Sequence, residues 1–352
     1  MNFGTFILGR VESRFEEQGN FSDSYIATDL NLDKIVAVKD IDEDSVNGDA
    51  FTAFINEARL ISKAKHTRIC PILYAGQDAT INNKYRIVTK YFKNGSLQGT
   101  INNHQVNEKT LDISYILKIL LYVCNALENL HSERIIHNDI KPSNILLDEA
   151  FKPVLTDFGQ SRFLSAPIIP APATYWKNMS PEYLTMGVAS FQSDIYQLGL
   201  LAYRLLSPAG FDSQATTLIQ ADPTGNTLKQ AIIDGTFPNR REIPIFVSRQ
   251  LTNFIKKALE TNLDNRYNCI YDLQQDLAKI AAYPVHFNQE TQTLSGNLNS
   301  REIAILIDST NGRYDIRTRK NDRAVNGLST TNRTESQARS DIAKALESLA
   351  RH

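Results

Sequence analysis

Cysteine is scarce in this chain. Only Cys70, Cys124 and Cys269 occur, far apart and without a Cys-x-x-Cys pair. This pattern excludes a disulfide framework and a cysteine-rich zinc site, so we predict three small core residues in a reducing compartment. An excess of charge of one sign is also absent, since 38 Lys and Arg residues balance 39 Asp and Glu residues. The balance gives no general reason to expect nucleic acid or an anionic membrane as a partner.

A long uninterrupted apolar run is lacking as well. The most apolar stretch, residues 113–130, contains Lys118 and Glu128, and its apolar residues recur at helical spacing. This pattern predicts a buried amphipathic helix rather than a membrane span. Residues 1–10 lack the basic start and long apolar core of a signal peptide. We therefore predict a soluble, cytoplasmic protein.

The first 90 residues are rich in strand-forming side chains. Runs of β-branched and aromatic residues at 24–28, 35–41 and 85–89 predict three strands. Apolar residues at three- and four-residue spacing predict a helix over residues 50–65.

Helical patterns dominate from about residue 110 to residue 282. The clearest predicted helices cover residues 113–132, 191–206, 245–259 and 270–281. A strand-rich half joined to a helix-rich half by one short connection predicts two lobes with a cleft between them.

The character of the chain changes after residue 282. Residues 288–300 are polar and poor in large apolar side chains, so we predict that residues 283–300 are a linker. The remainder, residues 301–352, is predicted to be a small appended unit. Asn311-Gly312 between two apolar runs predicts a hairpin there, and residues 335–349 have the spacing of a helix.

Two short segments carry groups suited to phosphoryl transfer. Residues 137–144 read His-Asn-Asp-Ile-Lys-Pro-Ser-Asn, and eighteen residues after their aspartate the chain reads Asp-Phe-Gly at 157–159. Phosphoryl transfer needs an oriented hydroxyl and neutralised phosphate charge. The carboxylate of Asp139 suits the first need, while Asp157 and Asn144 supply oxygen atoms that could hold Mg²⁺.

These segments resemble the catalytic loop and the Asp-Phe-Gly motif of the eukaryotic-like (Hanks-type) serine/threonine protein kinase family. The resemblance extends over about residues 8–282, within a kinase domain placed at residues 1–282. It implies an α+β, bilobal, protein-kinase-like fold, with a small β-rich N-lobe at about residues 1–90. A larger α-helical C-lobe would follow at about residues 95–282, and the C-terminal appendage would come after it. In this family Lys141 would steady the γ-phosphate and favour serine or threonine acceptors.

The resemblance assigns two further ion pairs. Val-Ala-Val-Lys at residues 36–39 matches the strand whose lysine, here Lys39, holds the α- and β-phosphates, with Glu57 as its helix partner. Ser-Pro-Glu ending at Glu182 resembles the Ala-Pro-Glu motif. Its glutamate would form a buried structural ion pair with Arg266.

The adenine-binding residues are implied in the same way. Thr89 would be the gatekeeper, the backbone of the next residues would meet the adenine, and apolar side chains would form the roof and floor. The residues implied in binding ATP are Lys39, Gly19, Phe21, Ala37, Thr89, Lys90, Phe92 and Leu146.

The sequence departs from the family at three places. The glycine-rich loop at residues 17–25 keeps only Gly19 of its three glycines, which predicts a looser fit to ATP. Asn138 replaces the arginine that commonly receives an activation-loop phosphate, so activity is expected not to wait for that phosphorylation. Thr174 is one residue out of register with the substrate-positioning threonine, and Tyr175 occupies the matching place.

The sequence therefore predicts a serine/threonine protein kinase that uses ATP and Mg²⁺, with Mn²⁺ as the other ion to consider. Two alternatives stay open: a pseudokinase that binds nucleotide and partners without transfer, and a small-molecule phosphotransferase. The expected partner is a protein substrate with Ser or Thr acceptors. Basic residues between Arg313 and Arg323 could dock a further partner, although such a cluster is more often a solvated face. Neither a membrane nor nucleic acid is expected.

Overall fold

The computed structural model of the protein describes residues 9–14, 22–42, 66–77, 84–106, 109–171 and 176–351. The helix predicted over residues 50–65 lies outside these ranges. All statements about the fold below concern the described residues.

The N-terminal lobe is an antiparallel sheet of five strands in the order β1-β2-β3-β5-β4. The strands are β1 (Gly9–Arg14), β2 (Ser22–Asp29), β3 (Lys34–Asp42), β4 (Ile72–Gln77) and β5 (Lys84–Lys90). The three strands predicted in this region are confirmed. Alternate residues such as Tyr25, Ala27, Val36 and Val38 face the same way and bury a small apolar cluster. This alternation explains why β-branched and aromatic runs form a sheet here.

The larger lobe is helical. Its helices are α1 (Leu97–Val106), α2 (Ile113–Ser132), α3 (Pro181–Met186), α4 (Phe191–Leu206), α5 (Pro208–Ala221), α6 (Asn226–Ile233), α7 (Arg249–Ala258) and α8 (Ile270–Ala278). Short two-stranded pairs carry the loops between them: β6 (Ile135–Ile136) with β9 (Arg162–Phe163), β7 (Ile145–Leu147) with β8 (Pro153–Leu155), and β10 (Ile169–Pro170) with β11 (Val188–Ala189).

Helix α2 forms the centre of the large-lobe core. Asp112 caps its first turn by accepting hydrogen bonds from the backbone N–H groups of Ser114 and Tyr115. By length and composition alone this helix could cross a membrane, but 56% of its apolar window is buried inside the protein. The predicted buried amphipathic helix is therefore confirmed.

The start of α7 differs from the prediction. The helix begins at Arg249 rather than near residue 245, because the hydroxyl of Ser248 accepts from the backbone N–H of Leu251 and caps the first turn. The prediction of three core cysteines is also partly wrong. Cys70 and Cys124 are buried, whereas Cys269 is exposed at the residue preceding α8.

A second sheet follows the helical lobe. It contains β12 (Val285–Asn288), β13 (Thr293–Leu298), β14 (Arg301–Thr310), β15 (Arg313–Lys320), β16 (Arg323–Ala324) and β17 (Thr330–Arg333), and the final helix α9 (Glu335–Arg351) packs on it. The predicted hairpin is confirmed as β14 and β15. Asn311 and Gly312 both have positive φ at its turn, which suits asparagine followed by glycine.

The predicted linker at residues 283–300 is wrong, because this segment forms β12 and β13. Leu294 and Leu298 point into the core, while the residues between them are polar or small. Gly296 is required where the strands approach most closely, since an added Cβ would collide with the carbonyl oxygen of Pro284. The segment is therefore polar on one face only, a feature that average composition hides.

The second sheet is continuous with the core of the helical lobe. Phe287 of β12 stacks on Phe246 with ring centroids 4.6 Å apart. The backbone N–H and carbonyl of Phe287 also pair with the hydroxyl and the N–H of Thr110, both at 2.9 Å. Because these contacts are buried and partly apolar, the two parts share one core.

Arg339 of α9 fastens the second sheet and its helix to the larger lobe. Its guanidinium donates to the carbonyl oxygens of Ile243 (2.6 Å), Pro244 (2.8 Å) and Val247 (3.0 Å). It also pairs with Glu335, one turn earlier on the same helix. The planar fork of arginine carries five N–H donors and can therefore donate to several acceptors at once.

We expect Arg339→Met to lower the free energy of unfolding by about 2 kcal/mol, because three charge-assisted contacts to buried carbonyls are lost. The measurement is urea denaturation. Arg351→Met is the matched control, since Arg351 lies on the same helix and pairs with Glu347 at the same spacing, but is exposed. The control should change stability by less than about 1 kcal/mol. Equal effects of the two substitutions would contradict the fastening role.

Candidate functional site

The segment at residues 137–144 is a loop between β6 and β7, and helix α4 holds its backbone. Asp194, fully buried in the first turn of α4, accepts hydrogen bonds from the backbone N–H groups of His137 (2.9 Å) and Asn138 (2.7 Å). Asn138 has a φ of 62°, in the left-handed region that asparagine adopts more readily than most residues. The loop is therefore held by its main chain, which leaves its side chains available for the cleft.

Asp139 lies at the centre of a set of polar contacts. Its Oδ2 accepts from Lys141 Nζ at 2.7 Å and from Asn144 Nδ2 at 2.8 Å. The same Nδ2 also donates to the backbone oxygen of Asp139 at 2.9 Å. The structure thus brings three of the predicted residues into contact. Because its nitrogen faces Asp139, the side chain of Asn144 has its oxygen as the atom available to a metal ion.

Asp157 is the second acidic group of the site. Its Oδ1 lies 2.7 Å from Lys39 Nζ, so the structure also brings these two predicted residues together. The charge of Lys39 outweighs burial and lowers the pKa of Asp157 to about 2, with smaller help from the charge of Lys141. The carboxylate is therefore ionised at neutral pH, as a metal ligand must be.

His137 connects the loop to the Asp-Phe-Gly segment. Burial lowers the pKa of its imidazole, so the ring is neutral at pH 7. Its Nδ1 accepts from the backbone N–H of Asp139 at 3.2 Å, and its Nε2 lies 3.1 Å from the carbonyl oxygen of Thr156. These contacts assign the proton to Nε2. The ring also packs edge-on against buried Phe158, so it joins the two motifs as one unit.

The predicted roof of an adenine site lies in the N-terminal sheet, and the predicted floor lies on β7 of the larger lobe. Ala37 of β3 pairs with Thr89 of β5, and Leu146 belongs to a small apolar cluster with Phe92. Lys90 points away into solvent, where it pairs with Glu149 at 3.0 Å. Only the backbone of Lys90 was predicted to meet adenine, and this arrangement is compatible with that assignment.

Three predicted site residues lie outside the described residues: Gly19 and Phe21 of the glycine loop, and Glu57. The same holds for Thr174 and Tyr175 of the activation segment. Their assignments stay predictions, as does the role of Lys39 toward phosphate.

Glu182 and Arg266 form the predicted buried ion pair. The guanidinium meets both carboxylate oxygens at 3.0 Å, and Ser193 Oγ donates to Oε1 at 2.8 Å. Burial raises the pKa of Glu182, but the hydrogen bonds and charge of Arg266 more than offset this and lower it overall. The pair ties the end of the activation segment to the segment before α8.

Two buried carboxamides near the site were missed by sequence reasoning. Asn178 Nδ2 donates to Asp139 Oδ1 at 3.2 Å, and Gln197 Oε1 accepts from the backbone N–H of Ile140 at 2.8 Å. Gln197 carries a weak signal, since it is a polar residue among the mostly apolar buried residues of helix α4. Asn178 carries no such signal, because it follows Thr174 and Tyr175, where the sequence departs from the family pattern.

The donor set suits a divalent ion bound together with phosphate. The backbone N–H of Thr156, the residue before Asp157, donates to the backbone oxygen of Asn144 at 3.0 Å. This hydrogen bond holds the segments that carry Asp157 and Asn144 side by side. Among the described residues, no three His, Cys, Asp or Glu side chains could hold a metal by themselves. An ion held by these two residues would need further oxygen ligands, which phosphate groups and water provide for Mg²⁺.

We expect Arg266→Met to lower the free energy of unfolding by about 3–5 kcal/mol, because it leaves the buried Glu182 carboxylate unpaired. The midpoint and slope of urea unfolding would measure this. Lys279→Met is a suitable control, since the Lys279–Asp276 pair is exposed and should contribute less than about 1 kcal/mol. Similar unfolding of both variants would show that the buried pair is not structural.

Comparison with known proteins places the chain in a family. A family model described as "Protein kinase domain" matches residues 17–277. The serine/threonine-protein kinase PrkC of Bacillus subtilis (strain 168) is 30% identical over 284 residues, covering 79% of this chain and 41% of that protein.

Two further relatives have similar coverage. The probable serine/threonine-protein kinase PknB of Lactococcus lactis subsp. lactis is 28% identical over 309 residues, covering 83% of this chain and 46% of that protein. The serine/threonine-protein kinase PknB of Mycolicibacterium smegmatis is 27% identical over 273 residues, covering 74% of this chain and 41% of that protein. The chain spans less than half the length of these relatives. Since the family model covers most of the chain and the bilobal fold agrees with it, the chain belongs to the protein kinase domain family.

Proposed function

We propose that the protein transfers the γ-phosphate of Mg-ATP to serine or threonine hydroxyls of a protein substrate. The observation that carries the proposal is the geometry around two carboxylates. Asp139 is held by Lys141 and Asn144 in a buried loop, and ionised Asp157 contacts Lys39 beside it. One carboxylate is thus placed for a hydroxyl, and the other for a metal ion.

The side chains divide the work as follows. Asp139 orients the acceptor hydroxyl and takes its proton as the new oxygen–phosphorus bond forms and the bond to the ADP oxygen breaks. Lys141, 2.7 Å from Asp139, lies where it can also neutralise charge on the transferred group. When bound, Mg²⁺ supplies neutralisation of the phosphate oxygens, and Asp157 with Asn144 would hold it. Lys39 would exchange part of its contact with Asp157 for the α- and β-phosphates.

Protein substrates are favoured over small molecules by the pair between Glu182 and Arg266. This buried pair fixes the end of the activation segment, and small-molecule phosphotransferases of related design usually lack it. The serine/threonine class is supported by Lys141 and by the similarity to proteins named as serine/threonine-protein kinases. A cytoplasmic location, consistent with free Cys70 and Cys124, is part of this proposal.

We expect Asp139→Asn to lower kcat by about 10²–10⁴-fold, because the carboxamide keeps the shape but accepts a proton poorly. The measurement is transfer of labelled γ-phosphate to the protein itself and to a generic acceptor protein. The binding of Mg-ATP, followed by thermal shift, should stay within about threefold. Equal labelling by the wild type and by Asp139→Asn would refute the assignment.

Asp157→Asn tests the metal assignment separately. It removes the ionised ligand, so we expect the stabilisation by ATP to lose most of its dependence on Mg²⁺ concentration. Titration of Mg²⁺ at fixed ATP in a thermal-shift assay measures this. An unchanged titration would contradict the assignment of Asp157. Absence of any labelling by the wild type, with Mg-ATP binding intact, would support the pseudokinase alternative.

A further inference from the structure

Two buried carboxamides contact the catalytic loop from outside it. Gln197 is on helix α4 and Asn178 ends the short 3₁₀ turn Trp176–Asn178, at the close of the activation segment. Both side chains are almost completely buried. A buried amide is unfavourable unless its polar atoms are engaged, so the partners of these two amides indicate why they are there. Gln197 engages both its nitrogen and its oxygen. Asn178 engages its nitrogen, whereas its buried oxygen has no partner among the described residues.

Gln197 uses both of its N–H donors and its oxygen on the two segments that meet at the site. Its Oε1 accepts from the backbone N–H of Ile140 at 2.8 Å. Its Nε2 donates to the backbone oxygens of Asn138 at 2.9 Å and Asn178 at 3.2 Å. A carboxamide has two N–H donors and one oxygen, and here all three take part. Gln197 therefore connects the catalytic loop to the end of the activation segment.

Asn178 continues this connection to the catalytic carboxylate. Its Nδ2 donates to Asp139 Oδ1 at 3.2 Å and to the backbone oxygen of Ile140 at 3.4 Å. The reverse orientation of the amide would place its oxygen against a carboxylate and a carbonyl, which repel it. The orientation of Asn178 is therefore fixed by charge as well as by shape.

The two oxygens of Asp139 differ in the number of donors that they accept. A carboxylate offers about two acceptor positions on each oxygen. Oδ2 has both filled, by Lys141 and by Asn144. Among the described residues, Oδ1 has Asn178 as its side-chain donor, so one position remains. Oδ1 is thus the atom that can receive the hydroxyl of a substrate, and Asn178 determines the direction in which it points.

We propose that Asn178 is a positioning residue for Asp139, and that Gln197 holds Asn178 in place from helix α4. This inference rests on the proposed kinase function. It assigns a role for the end of the activation segment, the turn Trp176–Asn178, that needs no phosphate: this turn delivers an amide donor to the catalytic carboxylate. The neutral Asn138, whose backbone oxygen binds Gln197, takes part in the same connection.

The main test is a double-mutant cycle between Asn178→Leu and Asp139→Asn, with labelled phosphate transfer as the readout. Asn178→Leu keeps the volume and removes the donor, so kcat should fall roughly tenfold to a hundredfold. The KM for ATP should stay within about twofold, because Asn178 contacts neither Lys39 nor Asp157. In the Asp139→Asn background the same substitution should have no further effect, since a positioning residue acts only through its partner.

A purely structural role for Asn178 predicts a different result. The fold-losses of kcat caused by the two substitutions would then multiply in the double variant, and the loss of kcat would follow the loss of melting temperature. Either outcome overturns the proposal, as does a wild-type kcat in Asn178→Leu. Gln192→Met is the control. Gln192 lies on helix α4, as Gln197 does, but its side chain donates to the carbonyl oxygens of Leu263 and Tyr267, away from the catalytic loop. It should leave kcat within about twofold.

A second variant covers the case in which Asn178→Leu does not fold. Gln197→Met removes the connection from the side of helix α4 and should reproduce the loss of kcat with an unchanged KM for ATP. A wild-type kcat in Gln197→Met would overturn its part of the proposal. Treatment of the wild type with a phosphatase should not lower its kcat, and a loss would show that phosphate is needed. If the wild type transfers no label at all, the proposed kinase function is itself refuted. If the wild type transfers label and Asn178→Leu leaves kcat unchanged, only the role of Asn178 is rejected.

Discussion

The buried carboxylate of Asp194 accepts two backbone N–H groups of the catalytic loop and lies 2.8 Å from His131 Nε2. A loop that presents several charged side chains to a cleft has few apolar contacts of its own to hold it. Its main chain must therefore be fixed by polar groups from a rigid element, and helix α4 provides them. Burial makes such hydrogen bonds strong, because no water competes for the donors. The positions of Asp139, Lys141 and Asn144 all depend on this attachment.

Around this attachment, three parts of the chain meet at the site. The N-terminal sheet contributes Lys39, the catalytic loop contributes Asp139, and the Asp-Phe-Gly segment contributes Asp157. In the structure Lys39 and Asp157 neutralise each other at 2.7 Å. The pairing offsets the free-energy cost of placing the Asp157 carboxylate in a cleft. Binding of a phosphate and a divalent ion would give both groups further partners.

The second sheet gives the larger lobe an additional packed layer. Phe287, Thr110 and Arg339 connect this sheet to the larger lobe through apolar and polar contacts of different strength. Because the two parts share one core, a substitution that alters packing in the sheet would also strain the packing of the larger lobe. The basic residues on β15, including Arg317, which pairs with Asp308, lie on its exposed surface.

The sequence by itself determined the family and the order of the lobes, and it predicted the groups that we propose for phosphoryl transfer. These could be predicted because the chemistry requires particular residue types at particular spacings, as with Asp139, Asn144 and Asp157. Local geometry was equally readable at Asn311-Gly312, since few other residues adopt positive φ in succession.

The tertiary structure alone decided which neutral side chains reach the site. It also decided that the polar segment at residues 283–300 forms strands. Asn178 and Gln197 act through contacts between residues distant in the chain, and an amide gives no sign in the sequence of what it will bind. The linker prediction for residues 283–300 rests on the high average polarity of residues 288–300, yet residues 293–298 within it are a strand. They form a strand because Leu294 and Leu298 find a core to enter, and burial is a property of the whole fold rather than of the segment.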